Sequence, residues 1–186
     1  MTPTQVAVVG GGPGGYAAAF LAADLGRSVT LIDPEPNPGG VCVYRGCIPS
    51  KALLHVAKLL DEARHAAAWG IDFGAPKVDL AKLRYFKDNV IKRLTAGTGQ
   101  LAKHRKINYL RGVAEILDPH SLLVKRVEGG DQHVHFEHLI LATGSLPAMP
   151  SSLHLDDPRV MDSTAALDLP DVPASLFEGE AEIALV

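Results

Sequence analysis

Cys42 and Cys47 are the only cysteines of the chain. They stand five residues apart in Gly39-Gly40-Val41-Cys42-Val43-Tyr44-Arg45-Gly46-Cys47-Ile48-Pro49-Ser50-Lys51. Sulfur at this spacing supports few chemistries. It is neither the C-x-x-C of a zinc site nor a thioredoxin-type motif, and zinc would need two more ligands, with His55 the nearest candidate. A structural disulfide here would close a ring too small to restrain much chain entropy. A thiol pair that cycles between oxidised and reduced states would use both cysteines, one sulfur open to an incoming thiolate and the other beside an electron acceptor. Two unrelated thiols are the plainer alternative. Pro49 suits the first turn of a helix, so Cys47 would lie where unpaired N–H groups favour negative charge on sulfur. Lys51, four residues on, would share its face.

A second constellation lies upstream. Gly10, Gly12 and Gly15 satisfy G-x-G-x-x-G within Gly10-Gly11-Gly12-Pro13-Gly14-Gly15. Glycine clusters are common in loops, and a purely structural loop is the alternative. The setting argues for more. An apolar run, Val6-Ala7-Val8-Val9, precedes the motif, an Ala-rich segment follows it, and Asp33 stands 18 residues beyond Gly15. That is the pattern of a dinucleotide-binding βαβ unit. Gly10 would permit the tight turn, Gly12 the approach of pyrophosphate and Gly15 close helix packing. The helix N-terminus would offer N–H groups to the phosphates, and Asp33 would accept from ribose hydroxyls. The motif does not distinguish NAD from FAD.

These groups need a frame. Gln5 to Val9 reads as a buried strand, Tyr16 to Leu25 as a helix stopped by Gly26, and Ser28 to Asp33 as a second strand. Pro34, Pro36 and Pro38 forbid regular structure up to Gly39-Gly40. Helices are expected from Pro49 to about Ala68 and from about Leu80 to Leu94, with a short further one at Gln100 to Lys103. Ile107 to Val127 alternates and turns at Asp118-Pro119, with Gly129-Gly130 ending the next piece, as in an antiparallel meander. Leu139 to Ala142 reads as another buried strand, stopping at Thr143-Gly144, and Pro147 to Pro173 as irregular chain.

Composition narrows the classes. A chain of 186 residues suits one ordinary domain. At 47% hydrophobic and 21% charged it is no disordered chain, collagen or coiled coil. A net charge of −3 gives no reason to expect nucleic acid or an anionic membrane as partner. The uncharged stretch before Asp24 lacks the basic start of an export signal, and its glycines and Pro13 break any spanning helix. A cytoplasmic location is expected. His133 and His135 would share a solvated strand face opposite Val134 and Phe136, so no metal site is expected. The basic residues between Lys82 and Lys106 read as a helix exterior.

Gly-Gly-x-Cys-(x)4-Cys-Ile-Pro-Ser-Lys-Ala-Leu, following a glycine fingerprint, resembles the FAD-dependent pyridine nucleotide–disulfide oxidoreductases. Within that family it is most similar to the dihydrolipoamide dehydrogenases. Mercuric and glutathione reductases have similar cysteine pairs, but Ile48-Pro49-Ser50-Lys51 and the helix after it fit them less well. The likeness continues through Ala52 to Lys58, Trp69 to Gly74, Lys103 to Ala114, Ile140 to Ser145 and Asp162-Ser163-Thr164, reaching about Leu176. Tyr44-Arg45 departs from the Asn-Val often found there. It could alter access or potential without changing the reaction.

The resemblance implies an α/β fold: a Rossmann-like FAD-binding domain with a parallel sheet, two inserted helices and an antiparallel β meander over residues 1–146. An irregular connector over 147–176 and a divergent or truncated tail over 177–186 would follow. It implies FAD held by Gly10, Gly12, Pro13, Gly14, Gly15, Asp33, Gly39, Gly40, Val41 and Cys42, with Lys51, the backbone at Ala114 and Thr143-Gly144 contributing further contacts. It also implies that Cys42 and Cys47 form the redox disulfide. Dihydrolipoamide, on a lipoyl carrier domain of a 2-oxoacid dehydrogenase complex, would attack Cys42. Cys47 would be released into a charge-transfer contact with flavin, and NAD would take a hydride from reduced flavin. The family is homodimeric. Its second glycine fingerprint, for NAD, is not matched by Phe177 to Val186, and its dimerisation domain and His-Glu pair find no counterpart. The chain is therefore expected to be the N-terminal part of such an enzyme, incomplete for turnover alone; the alternative is a non-catalytic truncated flavin-binding module, or another family member such as a mercuric or glutathione reductase.

Overall fold

The computed structural model describes residues 4–148, 150, 157–173 and 175. The tail at 177–186 and part of the connector at 147–176 lie outside the described residues. The chain divides into two compact units, Met1–Tyr44 with Arg93–Gly144, and Arg45–Lys92 with Ser145–Val186.

In the first unit, β1 (Thr4–Val9) leads into α1 (Pro13–Asp24) and then β2 (Val29–Asp33). Pro13 occupies the first turn of α1, where its missing N–H is no loss, and Gly26 closes the turn after the helix with φ of 79°. β3 (Asn108–Asp118), β4 (Ser121–Arg126) and β5 (Asp131–Leu141) complete the strands. β2, β1 and the end of β5 pair in parallel, and the start of β3 adds to β2, giving the order β3-β2-β1-β5. The other ends of β3 and β5 pair antiparallel with β4. The ladder therefore closes on itself through two strands that belong to both sheets. This is the parallel sheet and meander read from the sequence.

Period-two alternation divides the core between the two faces of β1 and β2. On one face Val6, Val8, Val29 and Leu31 pack with Ala19 of α1, Ala102 and Ile107. On the other, Ala7 and Ile32 meet Leu110 and the meander residues Leu122, Val124, Val134 and Phe136. β2 is buried along its whole length, as a strand covered on both faces must be. Full burial of each such Val or Leu contributes roughly 1.5–3 kcal/mol. His133 and His135 are exposed and alternate with buried Val134 and Phe136, as the strand pattern requires.

The chain is irregular through the prolines, and a six-residue helix, α2 (Gly40–Arg45), follows them directly. Three local expectations need correction. The stretch read as irregular from Pro147 to Pro173 contains a helix, α5 (Ser163–Leu167). The two helices read at Leu80–Leu94 and Gln100–Lys103 are one, α4 (Leu80–His104), which runs through Gly97 and Gly99. Gly99 is pressed against the side chain of Asn37 and Thr98 bonds the carbonyl of Pro38, so contacts hold the helix where propensity would end it. The strand read as buried at Leu139–Ala142 is the end of β5, but Ile140 and Leu141 are exposed. Beyond Phe136, whose N–H still donates to the His120 carbonyl at 3.0 Å, the strand's register partners among the described residues are those of β1.

In the second unit, α3 (Cys47–His65) passes into a 3-10 turn at Ala66–Trp69, closed by Gly70 in the left-handed region. The first part of α4 carries Arg84 and Lys87 to the end of α5 (Ser163–Leu167). The Asp162 side chain caps α5 by accepting from the Ala165 N–H at 2.8 Å. Lys87 Nζ donates to the Leu167 carbonyl at 3.0 Å and Arg84 to those of Leu169 and Pro170. Lys87 thus satisfies a carbonyl left over at the C-terminus of α5, and Arg84 holds the chain just beyond it.

Candidate functional site: a glycine cradle beside a cysteine-bearing helix

The loop from Gly10 to Gly12 leaves β1 and turns into α1 with no side-chain cap on the helix. Its first N–H groups therefore have no capping side chain at the positive end of a twelve-residue helix. The turn is held from behind. Gly10 N–H donates to the Ile32 carbonyl at 2.8 Å, and a side chain on Gly15 would overlap the Gly10 carbonyl. Pro13 and Gly14 are exposed at the rim.

Asp33 closes the floor of the loop. It is buried, and Oδ2 accepts from the Gly11 N–H at 2.6 Å while Oδ1 accepts from the Glu35 N–H at 2.9 Å. The carboxylate anticipated for a ribose also organises the glycine turn. Each oxygen retains a lone pair for a further donor.

Gly39 and Gly40 arrive from the other side. Gly39 N–H donates to the Gly11 carbonyl at 2.8 Å, and any Cβ on Gly40 would overlap the Cα of Gly12. Thr143 joins the same wall: Ala142 N–H bonds the Val9 carbonyl at 2.8 Å, and a Cβ on Gly10 would stand 3.1 Å from Thr143 N. Gly144 follows with φ of 75°. Gly10, Gly12, Gly15, Asp33, Gly39, Gly40 and Thr143 are thereby brought to one place. Ala114, half-buried on β3, lies three positions past Arg111, the register partner of Asp33.

Helix α2 starts on this cradle. Val41 is exposed and Cys42 is partly buried within α2. In the second unit, Cys47 is exposed and opens α3, with Gly46 as its N-cap and Lys51 exposed one turn on. Burial of Pro49 and Ala52 seats that first turn of α3.

Four contributors escaped sequence reasoning. Gly11 supplies the N–H to Asp33. Tyr44 Oη donates to the Asn37 carbonyl at 3.1 Å and accepts from its N–H at 3.3 Å. Tyr109 Oη donates to the Glu35 carbonyl at 3.0 Å, and Thr98 Oγ1 donates to that of Pro38. Together they pin the proline-rich loop. Burial first, then the nearby carboxylates, push the Tyr109 phenol well above its ordinary value; burial also raises that of Tyr44. The tyrosines carry no periodic signal. The one clue was that Tyr44 departs from the family pattern beside the cysteines.

Comparison with known proteins gives the family. A family profile described as pyridine nucleotide-disulphide oxidoreductase matches residues 4–185. The chain belongs to this family. Similar relatives of this pyridine nucleotide-disulphide oxidoreductase chain include the dihydrolipoyl dehydrogenase of Haemophilus influenzae, 44% identical over 174 residues, 94% of this chain and 36% of the relative. That of Vibrio cholerae is 46% identical over 173 residues, 93% of this chain and 36% of the relative. The chain thus spans about a third of the length of the curated relatives it matches.

Proposed function

We propose that this chain is the flavin- and disulfide-bearing part of a dihydrolipoamide dehydrogenase, with FAD as its dinucleotide. One observation carries the reading. The two glycine segments, far apart in sequence, meet at Gly12 and Gly40, and the helix bearing Cys42 begins at that junction. The residues fit a dinucleotide: an uncapped helix start, a cradle that any Cβ would fill, and a buried carboxylate at the end of β2. Gly10, Gly12, Pro13, Gly14, Gly15, Asp33, Gly39, Gly40 and Val41 would hold FAD, with Lys51, Ala114, Thr143 and Gly144 contributing. When bound, FAD supplies the two-electron relay between the thiol pair and NAD.

The chain's own chemistry is thiol–disulfide exchange. The thiolate of dihydrolipoamide attacks Cys42 Sγ, the Cys42–Cys47 bond breaks, and its electron pair leaves on Cys47 Sγ. The second substrate thiolate then attacks the sulfur bonded to Cys42. Cyclic lipoamide leaves and Cys42 becomes a thiolate, so two electrons have passed from substrate to protein. The start of α3 stabilises negative charge at the position of Cys47. The substrate would arrive on a lipoyl domain of a 2-oxoacid dehydrogenase complex.

An absorption spectrum tests the cofactor assignment. The chain, incubated with FAD and freed of excess by gel filtration, should carry flavin bands at one per chain. Protein eluting with no flavin would sink the FAD assignment. Mass spectrometry after alkylation without reductant tests the thiol pair. Neither Cys42 nor Cys47 should be labelled in the oxidised protein; labelling of both would refute the pairing.

A further inference from the structure

The thiol-pair reading assigns no task to Tyr44, yet its hydroxyl makes two hydrogen bonds to the main chain of Asn37. The helix has six residues, too few to be stable on its own. Its start is fixed where Gly40 lies against Gly12. Its far end is fixed by Tyr44, whose hydroxyl engages both the N–H and the carbonyl of Asn37, seven residues back. Thr95 of α4 adds a side-chain hydrogen bond to the same hydroxyl. The Tyr44 ring lies over Gly39, where a Cβ would stand 3.0 Å from Cε2. Asn37 is itself held: its side chain abuts Gly99, and its neighbour Pro38 is buried and bonded by Thr98. Cys42 therefore sits midway along a short helix tied at both ends to rigid chain.

We infer that Tyr44 is a positioning residue for Cys42: its hydroxyl, bonded both ways to the main chain of Asn37, clamps α2 and so holds the attacked sulfur in place. This rests on the reading of Cys42 and Cys47 as a redox pair. A clamp matters to such a pair because disulfide formation depends on how often one sulfur meets the other, and freedom at either sulfur dilutes that encounter. The ring alone would fill the same volume. The hydroxyl supplies the direction.

The test compares wild type with Tyr44→Phe, which keeps the ring, and Tyr44→Leu, which removes it. The equilibrium constant for Cys42–Cys47 disulfide formation is measured against glutathione. The iodoacetamide rate of Cys42 is measured separately in a Cys47→Ser background, where no disulfide can form. Tyr44→Phe should lower the equilibrium constant about tenfold, roughly 30 mV toward a less negative potential, and raise the Cys42 labelling rate severalfold. Tyr44→Leu should do no less. Wild-type values in Tyr44→Phe would overturn the inference. So would a change seen only in Tyr44→Leu, which would assign the effect to ring packing. If wild type formed no disulfide, the thiol-pair reading would fail; the labelling rate would still decide whether the hydroxyl restrains Cys42, an unchanged rate overturning the clamp. Should Tyr44→Phe fail to fold, Thr95→Val removes one bond to the same hydroxyl and should shift both readouts the same way by a smaller factor; no shift there would overturn the clamp.

Discussion

Gly12 and Gly40, 28 positions apart, touch through their backbones: a Cβ on Gly40 would overlap Gly12 Cα and stand 3.0 Å from its nitrogen. Gly40 also has φ of 57°, a conformation that L side chains adopt only under strain. Replacing it by alanine is expected to destabilise the chain by about 1–3 kcal/mol. It should also weaken flavin retention at least tenfold. Chemical denaturation and flavin titration would measure the two; unchanged retention would separate the glycine contact from the cofactor site.

Asp33→Asn tests the double role of the carboxylate. Both oxygens accept from backbone N–H groups, at Gly11 and Glu35. An amide has one acceptor oxygen, so its NH2 must face one of these donors. A loss of about 1–3 kcal/mol is expected in urea unfolding. An unaltered midpoint would mean that the glycine turn stands without Asp33.

Alkaline pH should unfold the chain through Tyr109. Burial holds its phenol protonated far above the ordinary value of 10.0, whereas the unfolded chain ionises near that value. Above about pH 10 the folded state therefore binds more protons than the unfolded state. The stabilisation is complete below that pH and declines as pH rises. Tyr109→Phe loses the bond to the Glu35 carbonyl and is less stable at neutral pH, but its stability should fall less steeply above pH 10. Parallel stability–pH curves for the two proteins would contradict this.

Lys87→Met should loosen α5. The ammonium is almost wholly buried, bonds the Leu167 carbonyl at 3.0 Å and pairs with Asp88 at 3.2 Å. Methionine retains much of the volume but leaves that carbonyl without its cation. Faster amide exchange is expected at Ala166 to Leu169, with little change in α1. Exchange unchanged at both sites would show that α5 does not depend on this grip.

Much of the site was legible because each part had a local signature. The G-x-G-x-x-G loop stood between an apolar strand and an Ala-rich helix, and Asp33 fell at the end of the next strand. What was hidden depended on contacts between distant segments. Pro34, Pro36 and Pro38 argued against structure up to Gly40, and nothing local showed that Tyr44 would fold back onto Asn37 to hold a short helix. One helix was read to Leu94 and another from Gln100; the seating of Gly99 against Asn37, which accompanies their continuity, leaves no mark in the sequence. Alternation gave the two faces of β5 correctly at His133–Phe136, whereas the apolar run at Leu139–Ala142 overstated the burial of Ile140 and Leu141.

The two strands shared between sheets have a mechanical consequence. β3 pairs with β2 at Asp33↔Arg111 and with β4 at Ala114↔Val124, while β5 pairs with β4 at Val124↔Gln132 and with β1 at Val9↔Leu141. Sliding any one strand by a single residue would force a mismatch around the whole circuit and turn every side chain to the opposite face. The spacing from Asp33 to Ala114 is therefore a count of hydrogen-bonded steps. Substitutions that soften the core can make that ruler less stiff, but they cannot re-mark it.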